Sequence, residues 1–416
     1  MHSDRSLTSK LRPTSTTRRK LLSLGAASSA VAAFPGLGLA AQSAVQLPFG
    51  YGERDLATFP EKKPLIVLTS RPPQLETPFA YFDNKIITPN DEFFVRYHWA
   101  GVPTSVDPTT FRLKIGGDVQ APIEFSLQDL KTKFTPKKIV AVNQCSGNSR
   151  GFFEPRVNGG QSGNGNMGNA AWVGVPLKEL LTQANPGKAA KQVTFNGLDT
   201  PVLGDGPDFI KALDIDHAMD GEVMVAYEMN GAELPMLNGF PIRLIVPGYY
   251  GTYWVKHLSE INVVDEVFNG FWMNPAYRIP DNECNCVEPG KAPEKTIPIN
   301  KFKIRSFITN LTDKSVVKVG QPTLVRGIAF DAGQGITRVM FSQDGGKTWV
   351  ETRLGEDLGR YSFRPWSLEF KPMQKGTLDL RVQAFNRAGE SQPMTASWNP
   401  AGYMRNVVES ITVQAV

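Results

Sequence analysis

KKIVAVNQCSGNSR, residues 137–150, is the stretch on which the reading turns. KKIVAVNQ is apolar and β-branched, as a buried strand should be. Cys145 stands where that strand ends. The Gly/Asn loop after it runs to Arg150. The chain holds only three cysteines, and the other two, Cys284 and Cys286, lie far along it. A thiol at a polar strand end, among Asn143, Gln144, Ser146, Asn148 and Arg150, admits three readings. It is an inert core thiol, a nucleophile activated by Arg150 and a histidine, or a soft metal ligand.

Working outward, 416 residues with 41% hydrophobic content provide a sizeable core, and the length predicts two domains. Gly 38 and Pro 31 against a charged fraction of 20% predict many loops and short strands. A net charge of +5 with no Lys/Arg block excludes a dedicated nucleic-acid binder and suits a small anionic substrate. Residues 1–41 carry a basic region, an Ala/Ser/Gly-rich apolar region and a small-residue cleavage site, with Arg18 and Arg19 side by side. This predicts a twin-arginine export signal and a folded, periplasmic protein. No later segment reaches about 18 uninterrupted apolar residues, so no membrane span is expected. In an oxidising compartment thiols usually pair. Cys284 and Cys286, one residue apart, read as too close to bridge each other easily.

Residues 42–90 are Pro-rich and read as irregular. Short β-rich runs then alternate with Gly/Pro/Asn turns, interrupted by helical patches at SLQDLKTKF, capped by Ser126, and PLKELLTQA, opened by Pro176. This is an α+β pattern over 42–295. A polar, Pro-rich linker covers about 281–300. Strands at regular spacing over 296–416 predict an all-β, immunoglobulin-like sandwich of roughly 115 residues. Within it SQDGGKTW (342–349) has the form of a hairpin in which Asp344 holds the turn and Gly345–Gly346 supply positive φ.

With four histidines, and no HExxH, paired CxxC, P-loop or GxSxG, the common zinc, nucleotide and serine-hydrolase sites are excluded. The run GGQSGNGNMGN (159–169) matches no dinucleotide fingerprint and reads as a flexible or cofactor-hugging loop. In DEFFVRYHWAG (91–101), strand alternation puts Phe94, Arg96 and His98 on one face. In GFPIRLIVPGYYGTYWVKHL (239–258), Arg243 falls inside an apolar strand, and buried arginines are rare unless paired. Several cations with no nearby acidic run point to a bound polyanion.

FFVRYH, VNQCSGNSR, FNGLD, AYEMNG, NGFPIRLIVPGYYGTYWVK, AYR and SQDGGKTW, in this order, resemble the sulfite oxidase family of molybdenum enzymes, and within it the bacterial periplasmic sulfite dehydrogenases. The resemblance runs from about Phe93 to the C-terminus. It implies a mixed α/β molybdopterin-binding domain followed by a sandwich used for dimerisation. It implies molybdenum held by Cys145, and molybdopterin held by Phe94, Val95, Arg96, Tyr97, His98, Asp199, Asn238, Arg243, Trp254, Val255 and Lys256. Asn238 stands where relatives often carry a cofactor-binding histidine. Arg96, His98, Arg150, Tyr277 and Arg364 match positions lining the anion pocket. The implied activity is oxidation of sulfite to sulfate by oxygen-atom transfer from Mo(VI), with electrons passed singly to a separate acceptor. No haem motif is present in this chain, so a c-type cytochrome is the expected acceptor and a homodimer the expected assembly. The alternative is a molybdenum-dependent reductase of methionine sulfoxide or other S- and N-oxides. Those relatives generally lack the sandwich and the arginine-rich pocket.

Overall fold

The computed structural model describes residues 44–416. The export signal expected over 1–41 lies outside the described residues.

The strand anticipated at Lys137–Gln144 pairs antiparallel with Met167–Pro176 along its whole length, from Lys137 opposite Gly174 to Gln144 opposite Met167. Met167–Pro176 pairs in turn with Met224–Met229, which holds the short strand Arg243–Ile245. This sheet therefore carries both Cys145, at the end of its first strand, and Arg243. Trp172 is fully buried at its centre and donates from Nε1 to the Ala141 carbonyl at 3.2 Å. A second sheet, ordered Lys211–Asp214, Gln192–Gly197, Leu258–Val264, Arg112–Gly117 and Ile123–Ser126, contains one parallel pairing, between Leu258–Val264 and Arg112–Gly117.

The two anticipated helices form. Leu127–Thr132 starts at Ser126 with a reciprocal capping box, in which Ser126 Oγ accepts from Asp129 N and the Asp129 carboxylate accepts from Ser126 N. Leu177–Ala184 follows Pro176 and buries Leu177, Leu180, Leu181 and Ala184 on one face.

Two expectations are corrected. The segment read as irregular over 42–90 is, over its described residues 44–90, largely β. Ala44–Gln46, Glu53–Ala57, Leu65–Thr69 and Gln74–Glu76 build an antiparallel sheet with Val95–Arg96 as its fifth strand. The strands are three to five residues long and interleaved with prolines, which hides their alternation. Cys284 and Cys286 are disulfide-bonded to each other. Asn285 between them takes a left-handed φ of 53°, which folds the chain back and sets the two Cα atoms 5.1 Å apart, within the usual range for a bridge. The surrounding linker is the loop of a small hairpin, since Arg278–Pro280 pairs with Thr296–Pro298.

The C-terminal region is a sandwich. One sheet is ordered Arg305–Ile308, Thr323–Phe330, Arg364–Phe370 and Arg353–Leu354. The other is ordered Val316–Val317, Glu409–Ala415, Gly376–Asn386, Ile336–Ser342 and Val350–Glu351. Val325, Val339, Phe341, Trp366, Leu380, Val382 and Val413 fill the space between them. In the 342–349 hairpin Asp344 accepts from Lys347 N and Thr348 N, and Gly345 and Gly346 have φ of 74° and 88°. The sandwich is continuous with the larger core: Phe307, Ile328, Phe330 and Phe363 belong to the same buried cluster as Trp172 and Trp254.

One buried carboxylate fixes the loop facing Cys145. Glu76, 1% exposed, accepts from Gly163 N and Gly165 N, both at 2.9 Å, and burial pushes its carboxyl up to about 7. The fit is close: a Cβ on Gly165 would sit 1.9 Å from the Thr77 carbonyl oxygen. The glycine-rich run is thus pinned, and it lies against the Cys145 loop through Ser149 N to Gly163 O at 2.7 Å and Cys145 N to Asn166 O at 2.9 Å. Glu76→Ala strands two buried N–H groups and is expected to cost about 2–4 kcal/mol. Urea denaturation checks this, and an unchanged midpoint would contradict it.

Candidate functional site

The structure gathers the singled-out segments around one cavity. Phe94, Arg96 and His98 line one wall, as alternation requires. Val95 and Tyr97 point away into a separate apolar cluster with Leu65 and Leu75. The Tyr97 hydroxyl reaches His257 Nε2 at 2.6 Å, while His257 Nδ1 lies 2.6 Å from the Phe240 carbonyl. A carbonyl only accepts, so Nδ1 carries the proton and Nε2 accepts from Tyr97. Burial agrees with this neutral form, holding the His257 pKa down at about 3.

A second wall is Asn143, Cys145 and Ser146. Cys145 is partly buried and free. The backbone of its loop is closed by Asn148 N to Cys145 O at 3.0 Å and by Asn148 Oδ1 accepting from Asn166 N at 3.0 Å. Asn143 Oδ1 and Ser146 Oγ are buried with no protein partner.

The third wall is Asn238, Arg243, Thr252, Trp254 and Lys256. Arg243 is 3% exposed. Its two terminal nitrogens donate to the Asn238 and Trp254 carbonyls at 3.0 and 3.1 Å, and its guanidinium lies 5.2 Å from the Trp172 ring centre. Its Nε and Thr252 Oγ1 are buried and unpartnered. Lys256 Nζ donates to the Arg96 carbonyl at 2.7 Å and sits 4.1 Å over the Tyr97 ring. Burial lowers both cations, Arg243 to about 10 and Lys256 to about 7. Asp199, itself buried and pushed up by that burial, is the carboxylate whose charge acts on Lys256. It is not on the cavity lining, and Val255 turns into the core.

At the remaining side, Tyr277 and His98 are hydrogen-bonded through the phenol oxygen and Nε2. Burial, then the charges of Arg96 and Lys256, hold the imidazole well below its ordinary pKa, so it is neutral. Burial raises the Tyr277 phenol above its ordinary value, so it keeps its proton. Tyr277 takes a left-handed φ of 56°, uncommon for a bulky residue and of the kind concentrated at functional sites.

Like Val95, Tyr97, Asp199 and Val255, which were expected on the cofactor and lie off the lining, further residues depart from expectation or were not foreseen. Arg364 does not reach the cavity. It pairs with Asp357 at 3.0 Å and lines a separate hollow with Arg360 and Arg387. Arg150 lies beyond the lining, its guanidinium carbon 5.1 Å over the Tyr403 ring. Two lysines that the sequence did not single out are buried beside the site. Lys62 donates to Asn238 Oδ1 and the Asn90 carbonyl, and Lys211 donates to the Trp272 carbonyl at 2.6 Å with the Tyr277 ring 5.1 Å away. Lys62 brings a cation to Asn238, which itself carries none; Asn238 Nδ2 donates to the Phe94 carbonyl at 3.2 Å.

Residues 99–272 match the family model described as the oxidoreductase molybdopterin binding domain, and residues 296–415 match the Mo-co oxidoreductase dimerisation domain. The chain is 32% identical over 375 residues to mitochondrial sulfite oxidase of Rattus norvegicus, covering 86% of this chain and 67% of that protein. It is 30% identical over 361 residues to sulfite oxidase of Gallus gallus, covering 83% and 77%. Among solved structures, the sulfane dehydrogenase SoxCD from Paracoccus pantotrophus has the same fold, with a TM-score of 0.69 and 24% identity over 82% of this chain and 84% of that one.

The donor set fits molybdenum-molybdopterin. The cavity offers orphaned polar atoms on two walls and an excess of buried cations, which an anionic pterin phosphate satisfies. Cys145 is its one thiol, and among the described residues no three metal-binding side chains converge. A metal at Cys145 therefore takes its other ligands from the cofactor. The chain belongs to the sulfite oxidase family of molybdopterin-dependent oxidoreductases.

Proposed function

We infer that the protein is a periplasmic sulfite dehydrogenase that oxidises sulfite to sulfate and passes electrons singly to a separate acceptor, a c-type cytochrome. The observation that carries this reading is the pairing of one thiol with a cation-rich pocket: Cys145, Arg96 and the His98–Tyr277 pair open onto one cavity. Support for the family comes from relatives named as sulfite oxidases. The twin arginines at 18–19 support export, and the match to a dimerisation domain over 296–415 supports a homodimer.

Cys145 would hold the metal. Arg243, Lys256 and Asn238, backed by Lys62, would hold the pterin and its phosphate. Bound there, the group supplies oxygen-atom transfer and accepts the electron pair. The overall balance is sulfite plus water giving sulfate, two protons and two electrons. The chain's own residues do the rest. Arg96 presents a planar fork to an oxyanion, with its carbonyl fixed by Lys256. Tyr277 keeps its proton beside neutral His98, so the pair can hydrogen-bond an oxygen at the reacting position. It can also carry a proton outward through Nε2. Among the described residues no helix is long and apolar enough to cross a membrane.

Arg96→Gln is expected to raise KM for sulfite tenfold or more on the scale of a lost charge-assisted contact, roughly 1.5–3 kcal/mol. Steady-state reduction of ferricyanide by sulfite reads this, and a wild-type kcat/KM would remove Arg96 from the pocket. Cys145→Ser is expected to abolish turnover while pterin stays bound, and unchanged turnover would remove Cys145 as ligand. Reduction of methionine sulfoxide by a wild-type protein inert to sulfite would overturn the sulfite reading.

Loading has a pH signature. In the cofactor-free pocket Lys256 titrates at about 7 because burial disfavours its charge. Above that pH it is neutral, and an arriving phosphate must restore the proton. Uptake is therefore coupled to proton binding and weakens as pH rises, by up to about tenfold per pH unit for each lysine so coupled. Pterin fluorescence during reconstitution from about pH 6 to about pH 9 checks the sign, and pH-independent uptake would contradict it.

A further inference from the structure

Beyond the lining of the cavity a side chain of the C-terminal region packs on the back of Tyr277. Tyr403 stacks on Tyr277 with ring centres 5.4 Å apart and planes 6° from parallel. The Arg150 guanidinium lies over the same ring, 5.1 Å from its centre. Tyr403 therefore touches a hydrogen-bonding phenol on the cavity lining, Tyr277, and a cation just behind it, Arg150. Buried Arg150 Nε has no hydrogen-bond partner among the described residues, and the guanidinium packs between the Tyr403 ring, Gly147 and Gly159.

The backbone around Tyr403 is built to present it. Asn399, 3% exposed, brackets the residue, its Nδ2 donating to the Tyr403 carbonyl at 2.8 Å and its Oδ1 accepting from Tyr403 N at 3.1 Å. Met404 N donates to the Ser146 carbonyl at 3.2 Å, which ties the loop to the residue after Cys145. Gly402 adopts φ 61°, and a Cβ there would lie 2.4 Å from Val157 and 3.0 Å from the Arg150 side chain. A loop held at both ends by side-chain and main-chain bonds, with a glycine where Arg150 passes, fixes one aromatic ring in one place.

We propose that Tyr403 is a positioning residue for the anionic substrate, holding the Arg150 guanidinium just behind the cavity lining and buttressing Tyr277. This rests on the sulfite reading above. A guanidinium on an aromatic face is held by attraction to the ring quadrupole, which is stronger where water is excluded. A pre-positioned fork loses less freedom when it binds a small oxyanion of sulfite or sulfate shape. The contribution is to ground-state and transition-state binding alike, so it belongs in KM rather than kcat.

The test uses molybdenum-loaded full-length protein and the variants Tyr403→Phe, Tyr403→Leu and Tyr403→Ala. Truncation to Leu or Ala is expected to raise KM for sulfite on the order of tenfold. Competitive inhibition by sulfate is expected to weaken by the same factor, with kcat within about twofold and molybdenum and pterin contents unchanged. Tyr403→Phe keeps the ring and is expected to restore both constants. Wild-type KM and sulfate inhibition in Tyr403→Leu would overturn the proposal, as would a Phe variant as impaired as the Leu variant. If Tyr403→Ala fails to fold, the Leu and Phe pair still decides. A wild-type protein that does not oxidise sulfite overturns the substrate reading itself. One that does, with Tyr403→Leu unaffected, overturns the Tyr403 assignment alone.

Discussion

The site depends on a positive charge that the protein buries without neutralising. Arg243 sits in a central sheet with its terminal nitrogens on two main-chain carbonyls and its Nε on nothing. Lys62 is almost fully withdrawn from water and Lys256 partly so, and desolvation pulls each down toward neutrality. Isolated buried charges are costly unless paired. A chain that keeps these cations together around one cavity is completed by an anion from outside it. That requirement dictates the sheet carrying Arg243, the fixed carbonyls of Asn238 and Trp254, and the aromatic faces of Trp172 and Tyr97 that take the place of carboxylates.

The same constraint separates the two ends of the cavity. At the Arg243 end the donors are rigid and main-chain anchored, as suits a resident group. At the Tyr277 end they are side chains held by one another: His98 by Tyr277 and by stacking on Phe209 at 3.9 Å, and Tyr277 by Tyr403. Cys145 stands on the wall between. The C-terminal sandwich is not an appendage to this arrangement. Arg305, 1% exposed, joins Glu409 at 2.6 Å to Ser149 Oγ at 3.0 Å in the Cys145 loop, and Phe307 and Phe330 share the main core.

Much of this was legible in the sequence where local pattern and burial coincide. A period of two placed Phe94, Arg96 and His98 on one face, although the regular strand there is only Val95–Arg96. An arginine inside IRLIV announced its own burial, and the polar end of KKIVAVNQ marked the Cys145 loop. The failures share a cause. Lys62 lies in EKKP, which no motif singles out; only the fold of the N-terminal sheet, itself masked by short proline-broken strands, carries it to Asn238. Tyr403 lies in the irregular run NPAGYM, with no periodicity to give it a direction. Arg364, in SFRPW, was assigned to the pocket by resemblance; alternation says that it faces one side of its strand but not which partner waits there, and Asp357 takes it. The Cys284–Cys286 bridge turned on a single left-handed residue, Asn285, whose conformation spacing does not reveal.

The most direct test of the account is anaerobic mixing of molybdenum-loaded protein with sulfite in the absence of any acceptor, followed by addition of ferricyanide. The expected result is one sulfate formed per molybdenum before ferricyanide is added, and two ferricyanides reduced per molybdenum afterwards. Sulfite left unchanged by fully loaded protein would contradict the central claim: the cation-rich cavity would then hold its cofactor for a different substrate.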